Sequence, residues 1–191
     1  METTPKLLLV CDLEATCDDR GTIPRNETEI IEIGCVLVDE STLEPVDEWF
    51  TFVKPIKHPI TRFCTELTSI RPEDVQHAPR FRDAIGNAAR WLAGRRPLFC
   101  SWGDYDWNQL ARESKRNGNL PLPFGAEHLN LKKKFSETIG DAHRYGMAEA
   151  LAKVGLPLEG TYHRGIDDAR NMVRLLPYVL GRTPLRATDG R

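Results

Sequence analysis

The chain has 191 residues, of which 40% are hydrophobic and 28% charged, with a formal net charge of −2. That length suits one domain with a sizeable core, and the charge excludes a globally basic coat for nucleic acid while leaving room for a local basic groove. No run reaches the ~18 apolar residues that a membrane span needs, and METTPK does not read as a signal peptide, so a cytoplasmic protein with no membrane partner is expected.

The first half reads as strands. Residues 6–12 (KLLLVCD) give the first, 29–40 (EIIEIGCVLVDE) the second and 48–55 (EWFTFVKP) the third, with turn-forming stretches at 18–21 and 39–47 between them. Three strands so closely linked suggest an antiparallel meander. The period then changes. Phe81, Ala84, Ile85, Ala88, Trp91 and Leu92 recur at helical spacing before Gly94, and residues 96–102 (RPLFCSW) form a fourth apolar run. A helix is expected from Tyr105 to about Asn117, and a weak fifth strand at 128–131. Met147, Ala150, Leu151 and Val154 mark another helix. Ile166, Ala169, Val173, Leu176 and Leu180 mark the last, which Pro177 should end or kink. Residues 181–191 read as a polar, frayed tail. A meander followed by alternating helices and strands describes an α/β fold, a mixed five-stranded sheet flanked by helices, in which ligands tend to sit beyond the carboxyl ends of the strands.

Cys11, Cys17, Cys35, Cys64 and Cys100 form no Cys-x-x-Cys pair, and three of them lie in apolar runs. Buried reduced thiols are expected, not disulfides or zinc ligands.

Asp12 and Glu14 follow the apolar run of the first strand. Strand side chains alternate, so both point one way and Leu13 the other. Adjacent carboxylates at a buried strand end repel and resist desolvation, which calls for a positive partner, and oxygen ligands suit Mg²⁺ or Mn²⁺. The plainer alternative is a pair of acids capping a solvated loop. Asp106 lies just past the fourth strand, where an acid also serves as a helix cap, a role Asp104 fills equally well. His163 lies in the polar turn EGTYHRG, and Asp168 falls about one turn into the last helix. A histidine on a mobile loop beside a metal has a pKa near neutrality and suits a general base; a solvated loop histidine is the plainer alternative.

Together, D-x-E on a first strand, Asp after a middle strand and H-x₄-D near the C-terminus resemble the three motifs of the DEDDh (DnaQ-like) 3′→5′ exonucleases, whose fold is ribonuclease H-like. The motif order matches, with about ninety and about sixty residues between successive motifs. DLEATC, EIIEIGCVLVD, FCTELTSI (63–70), SWGDYD and HRGIDDARN look most like the branch containing the histone-mRNA exonuclease and its bacterial relatives. A sister class uses Tyr-x₃-Asp, but Ile166 stands four residues after Tyr162 and excludes it here.

The resemblance implies one exonuclease domain over residues 1–180 and a tail at 181–191. It implies that Asp12, Glu14, Asp106 and Asp168 hold two Mg²⁺ or Mn²⁺ ions and that His163 is the general base. The substrate would be the 3′ end of RNA or single-stranded DNA, released as 5′-nucleoside monophosphates. Phe63, Leu67 and Thr68 would border the last nucleotide, and Ala15 and Thr16 would present backbone to its 3′ hydroxyl. Phe63 and Leu67 at i, i+4 equally fit the inner face of a short helix. Ser69 stands where many relatives have Gly, and Gly165 where Ala is common. Of the scattered basic residues, only Lys132–Lys134 is dense enough to suggest a phosphate contact. Two other readings are an endonuclease on the same fold and a non-catalytic nucleic-acid binding module.

Overall fold

A computed structural model describes residues 6–185. The apolar runs of the first half form β1 (Leu7–Ala15), β2 (Ile30–Asp39) and β3 (Pro45–Phe52), paired antiparallel as a meander. β4 (Leu98–Ser101) and β5 (His128–Asn130) add in parallel on the other side of β1. The sheet is therefore mixed and five-stranded, in the order β3-β2-β1-β4-β5.

β1 extends further than its apolar run. Asp12 and Glu14 lie inside the strand, opposite Gly34 and Glu32 of β2, and the pairing becomes irregular only between Glu14 and Ala15. Cross-strand hydrogen bonds to β2 continue the ladder past the point where the sequence turns acidic.

Helices cover both faces: α1 (Arg62–Thr68), α2 (Pro72–Val75), α3 (Phe81–Leu92), α4 (Tyr105–Arg116), α5 (Leu131–Thr138), α6 (Met147–Val154) and α7 (Gly165–Val179). Strand alternation sorts the core. Leu8 and Val10 pack with Leu131, Phe135, Ala150, Ile166 and Met172 on one face. Leu9, Cys11 and Leu13 pack with Phe81, Ile85 and Leu110 on the other. Asp12 and Glu14 share the parity of Leu8 and Val10, so they point to the face that α7 covers.

α7 comes unusually close to the sheet. An added Cβ at Gly34 would lie 2.2 Å from both the carbonyl carbon of Gly165 and the nitrogen of Ile166, so this approach of backbone to backbone requires glycine. Pro177 falls in the last turn of α7, which ends two residues later. Arg182 then donates to the carbonyls of Ser41 and Glu40 at 2.6 and 2.5 Å, so the segment expected to fray from residue 181 begins docked. Residues 186–191 of that tail, and residues 1–5, lie outside the described part. Among the described residues, no helix is long and apolar enough to cross a membrane.

Candidate metal and catalytic site

The parallel strands β1 and β4 bring Asp12, Glu14 and the start of α4 to the carboxyl end of the sheet's central strands. Asp106, in the first turn of α4, is almost fully buried, and its Oδ1 accepts a hydrogen bond from the backbone of Leu13 at 3.2 Å. That bond ties α4 between the two acids of β1. Asp104 instead has an exposed side chain that accepts from Asn130 at 2.9 Å. Asp167 accepts from the backbone of Thr161 at 2.9 Å and pairs with Arg170 at 3.1 Å. Asp106 and Asp168 are thus the members of each acidic pair that reach the site.

Donor atoms of Glu14, His163 and Asp168 lie within 4.8 Å of one another. The His163 Nδ1 stands 4.0 Å from Glu14 Oε1, and the backbone N–H of His163 donates to Asp168 Oδ2 at 3.1 Å. His163 is half-buried and adopts a left-handed backbone with φ of 60°. This conformation is uncommon for a residue with a side chain and persists only where surrounding contacts hold it.

The electrostatics show what is missing from the protein groups alone. Loss of solvation pushes Asp12 well above the usual carboxylate range, and Asp106, Glu14, Asp168 and Glu32 push it further. The same loss, then repulsion from Asp168 and Glu32, pushes Glu14 up to about 9. Burial pushes Asp106 and Asp168 up to about 7, opposed in each case by a backbone hydrogen bond. Burial lowers His163 below its ordinary value, which favours a neutral imidazole. The Oδ1 of Asp168 is buried without a hydrogen-bond partner among the described residues. An orphaned carboxylate oxygen beside three mutually repelling carboxylates fits a divalent cation with hard oxygen ligands.

The residues expected around the last nucleotide separate into two groups. α1 does turn one face inward, but Cys64 and Thr68 form it, while Phe63 is partly exposed and Leu67 is 39% exposed. Thr68 is fully buried and donates to the carbonyl of Cys64 at 2.8 Å. Thr16 is also fully buried. Its N–H donates to the carbonyl of Glu29 at 2.8 Å, and its hydroxyl accepts from the N–H of Glu29 at 2.9 Å. Ala15 is buried beside it, its carbonyl 3.6 Å from the Cys64 thiol. Neither threonine hydroxyl faces outward.

Several residues beside the site carried no functional expectation. Tyr105 and Tyr162 remain 50% and 41% exposed, immediately before Asp106 and His163. The ring of Tyr162 lies 4.0 Å from that of His163, and burial and the nearby carboxylates raise both phenols. Glu32 is a fully buried carboxylate on β2. Its signal was one charge in the apolar run IIEIGCVLV (30–38). Two concavities elsewhere, of about 480 Å³ beside residues 54–60 and about 1340 Å³ at the opposite end of β1 and β4, are lined by none of the four acids or His163.

The family model described as Exonuclease (RNase_T) matches residues 9–176. ERI1 exoribonuclease 3 of Homo sapiens is 29% identical over 177 residues, which span 88% of this chain and 52% of that protein. The probable 3′-5′ exonuclease KapD of Bacillus subtilis (strain 168) is 30% identical over 179 residues, 92% of this chain and 85% of that protein. The chain thus spans about half the length of the exoribonuclease it matches. Among solved structures, the nuclease domain of 3′hExo, a DEDDh family member bound to rAMP, is similar with a TM-score of 0.82 and 23% identity over 100% of both chains. The fold is that of the ribonuclease H-like exonucleases.

Proposed function

Because the chain belongs to the exonuclease family, we propose that it is a metal-dependent 3′→5′ exonuclease that removes nucleotides one at a time from the 3′ end of RNA or single-stranded DNA. The observation that supports this reading is the grouping of Glu14, Asp168 and His163 within 4.8 Å, with Asp106 tied to the Leu13 backbone between Asp12 and Glu14 and one Asp168 oxygen left without a partner among the described residues. These four carboxylates would hold two Mg²⁺ or Mn²⁺ ions. Such ions supply Lewis-acid stabilisation of charge on the attacking and leaving oxygens and make bound water more acidic.

The chain's own groups do the rest. His163, neutral and half-buried, takes the proton of the attacking water. The water oxygen bonds to phosphorus, the bond from phosphorus to the 3′ oxygen of the preceding nucleotide breaks, that oxygen takes up a proton to become the new 3′ hydroxyl, and a 5′-nucleoside monophosphate leaves. Phe63 and Leu67 offer apolar surface to the last base, and the exposed rings of Tyr105 and Tyr162 offer stacking surface that tolerates any sequence. With the Thr16 N–H bonded to Glu29 and the Thr68 hydroxyl to Cys64, the remaining expected contact from the end of β1 is the backbone at Ala15. Lys132–Lys134 lie in the first turn of α5, which follows the carboxyl end of β5, and suit the phosphate backbone.

RNA is supported by the exoribonuclease name of one relative and by the rAMP bound to the structural neighbour. Single-stranded DNA is supported by exonuclease I, a more distant neighbour seen with a dT13 oligonucleotide. Residues 1–180 would constitute the exonuclease domain. A reducing compartment such as the cytoplasm suits five free thiols, four of them buried.

Two variants test the roles. Asp12→Ala should abolish nuclease activity and weaken Mn²⁺ binding in calorimetry. His163→Ala should lower turnover by about 10²- to 10⁴-fold while leaving Mn²⁺ and substrate binding near wild type. Loss of metal binding in His163→Ala would contradict the assignment.

A further inference from the structure

His163, Arg164 and Gly165 lie across one row of the sheet. Glu14 of β1, Glu32 of β2 and Phe52 of β3 are register partners, side by side. Above them, the His163 imidazole stands 4.0 Å from Glu14. The Arg164 guanidinium makes a two-pronged pair with Glu32, Nε to Oε2 and Nη2 to Oε1, each at 3.0 Å. Its central carbon lies 5.2 Å from the centre of the Phe52 ring. The backbone N–H of Gly165 donates to the same Glu32 Oε2 at 3.0 Å. Both Glu32 oxygens are therefore engaged, and Glu32 is not available as a fifth metal ligand.

We propose that Glu32 and Arg164 are positioning residues for the general base, forming a buried clamp that holds the turn carrying His163 in its left-handed conformation over Glu14. This rests on reading His163 as that base. Three features point to positioning over simple stability. A buried ion pair is a weak source of stability, because the desolvation of both charges offsets their attraction. Glu32 is also fully buried with both oxygens bonded to residues 164 and 165, so its hydrogen-bonding capacity is turned to the segment that directly follows His163. And the strained residue is the one immediately before the arginine, where a fixed fork on one side and the Asp168 carboxylate on the other over-determine its backbone.

The test is steady-state kinetics on a single-stranded oligonucleotide with a free 3′ hydroxyl at saturating Mg²⁺, with thermal melting in parallel. Arg164→Ala should lower kcat by about 10- to 100-fold with KM nearly unchanged, the size expected when a reacting group shifts by ~1 Å. Arg164→Lys keeps the charge but not the fork, and should recover part of that loss. Glu32→Gln, which keeps an acceptor for Gly165, should also lower kcat. In a His163→Ala background, Arg164→Ala should have no further effect. The clamp is refuted if Arg164→Ala slows the His163→Ala enzyme by the same factor, if it changes KM alone, if it lowers the melting temperature with kcat intact, or if Arg164→Lys is as slow as Arg164→Ala. Should Arg164→Ala not fold, Arg164→Lys supplies the split between kcat and KM on its own. Full activity of His163→Ala would instead overturn the general-base assignment, a result separable from all of these.

Discussion

Gly34→Ala is the sharpest structural perturbation available. Gly34 sits opposite Asp12 in the sheet, and its added Cβ would meet the Gly165 carbonyl carbon and the Ile166 nitrogen at 2.2 Å and the Gly165 oxygen at 2.5 Å. Ordinary contact begins at 3.4 Å, so the start of α7 would have to retreat by about 1.2 Å. All three atoms belong to backbone, which cannot swing aside as a side chain would. Overpacking of this kind costs about 1–3 kcal/mol, or roughly 2–12 °C of melting temperature at this chain length. Activity should suffer more than stability, because the retreat carries His163 and Asp168 away from Glu14, and ~1 Å of misplacement can cost about 10²-fold in rate. The assay is kcat on a 3′-hydroxyl oligonucleotide at saturating Mg²⁺, paired with a thermal melt. Two glycines serve as controls. At Gly165 the added Cβ meets Asp12 O at 3.1 Å, so Gly165→Ala should be milder. At Gly86, inside α3, it meets nothing within 4 Å, so Gly86→Ala should stabilise by about 0.5–1 kcal/mol with activity intact. Wild-type melting and turnover in Gly34→Ala would refute the reasoning.

Three further outcomes are expected. The acids of the site have raised pKa values in the folded chain without metal, so the unfolded chain ionises first. Stability of the metal-free protein should therefore fall as pH rises from about 4 through the range of 7 to 9, and Mg²⁺ should raise the melting temperature more at pH 8 than at pH 5; an equal rise at both pH values would contradict it. Burial lowers His163 below its ordinary value, so at saturating Mg²⁺ the fall of kcat on the acid side of about pH 6.5 should be steeper in the wild type than in His163→Ala. Thr61 caps α1 by accepting from Cys64 N–H at 3.0 Å and donating to the Cys17 carbonyl at 2.6 Å, so Thr61→Ala should cost about 1 kcal/mol in urea unfolding.

The sequence carried what depends on local pattern. The parity of Asp12 and Glu14 on β1, the helix that opens at Tyr105 and the placing of Asp168 one turn into α7 follow from periodicity and stop residues, and the structure has all three. α5 was legible in principle, since Leu131 and Phe135 stand at i, i+4 and are both fully buried, but three lysines between them obscured the stripe. What sequence could not supply is contact between distant segments. Glu32 meets Arg164 across 132 positions, and Gly34 meets Gly165 through backbone alone. Thr68 illustrates a local bond that sequence pattern does not reveal. A hydroxyl in a motif suggests a substrate contact, yet in a short helix it bonds to the carbonyl four residues back.

The most direct test of the account is the polarity of digestion. Single-stranded RNA and DNA of one sequence, 5′-labelled, would be incubated with Mg²⁺ and sampled over time, beside copies with a blocked 3′ end and a circular form. The account predicts a ladder shortening from the 3′ end, release of 5′-nucleoside monophosphates, silence in EDTA and no cutting of the circle. Internal cleavage of the circle, or shortening that persists in Asp12→Ala, would contradict it.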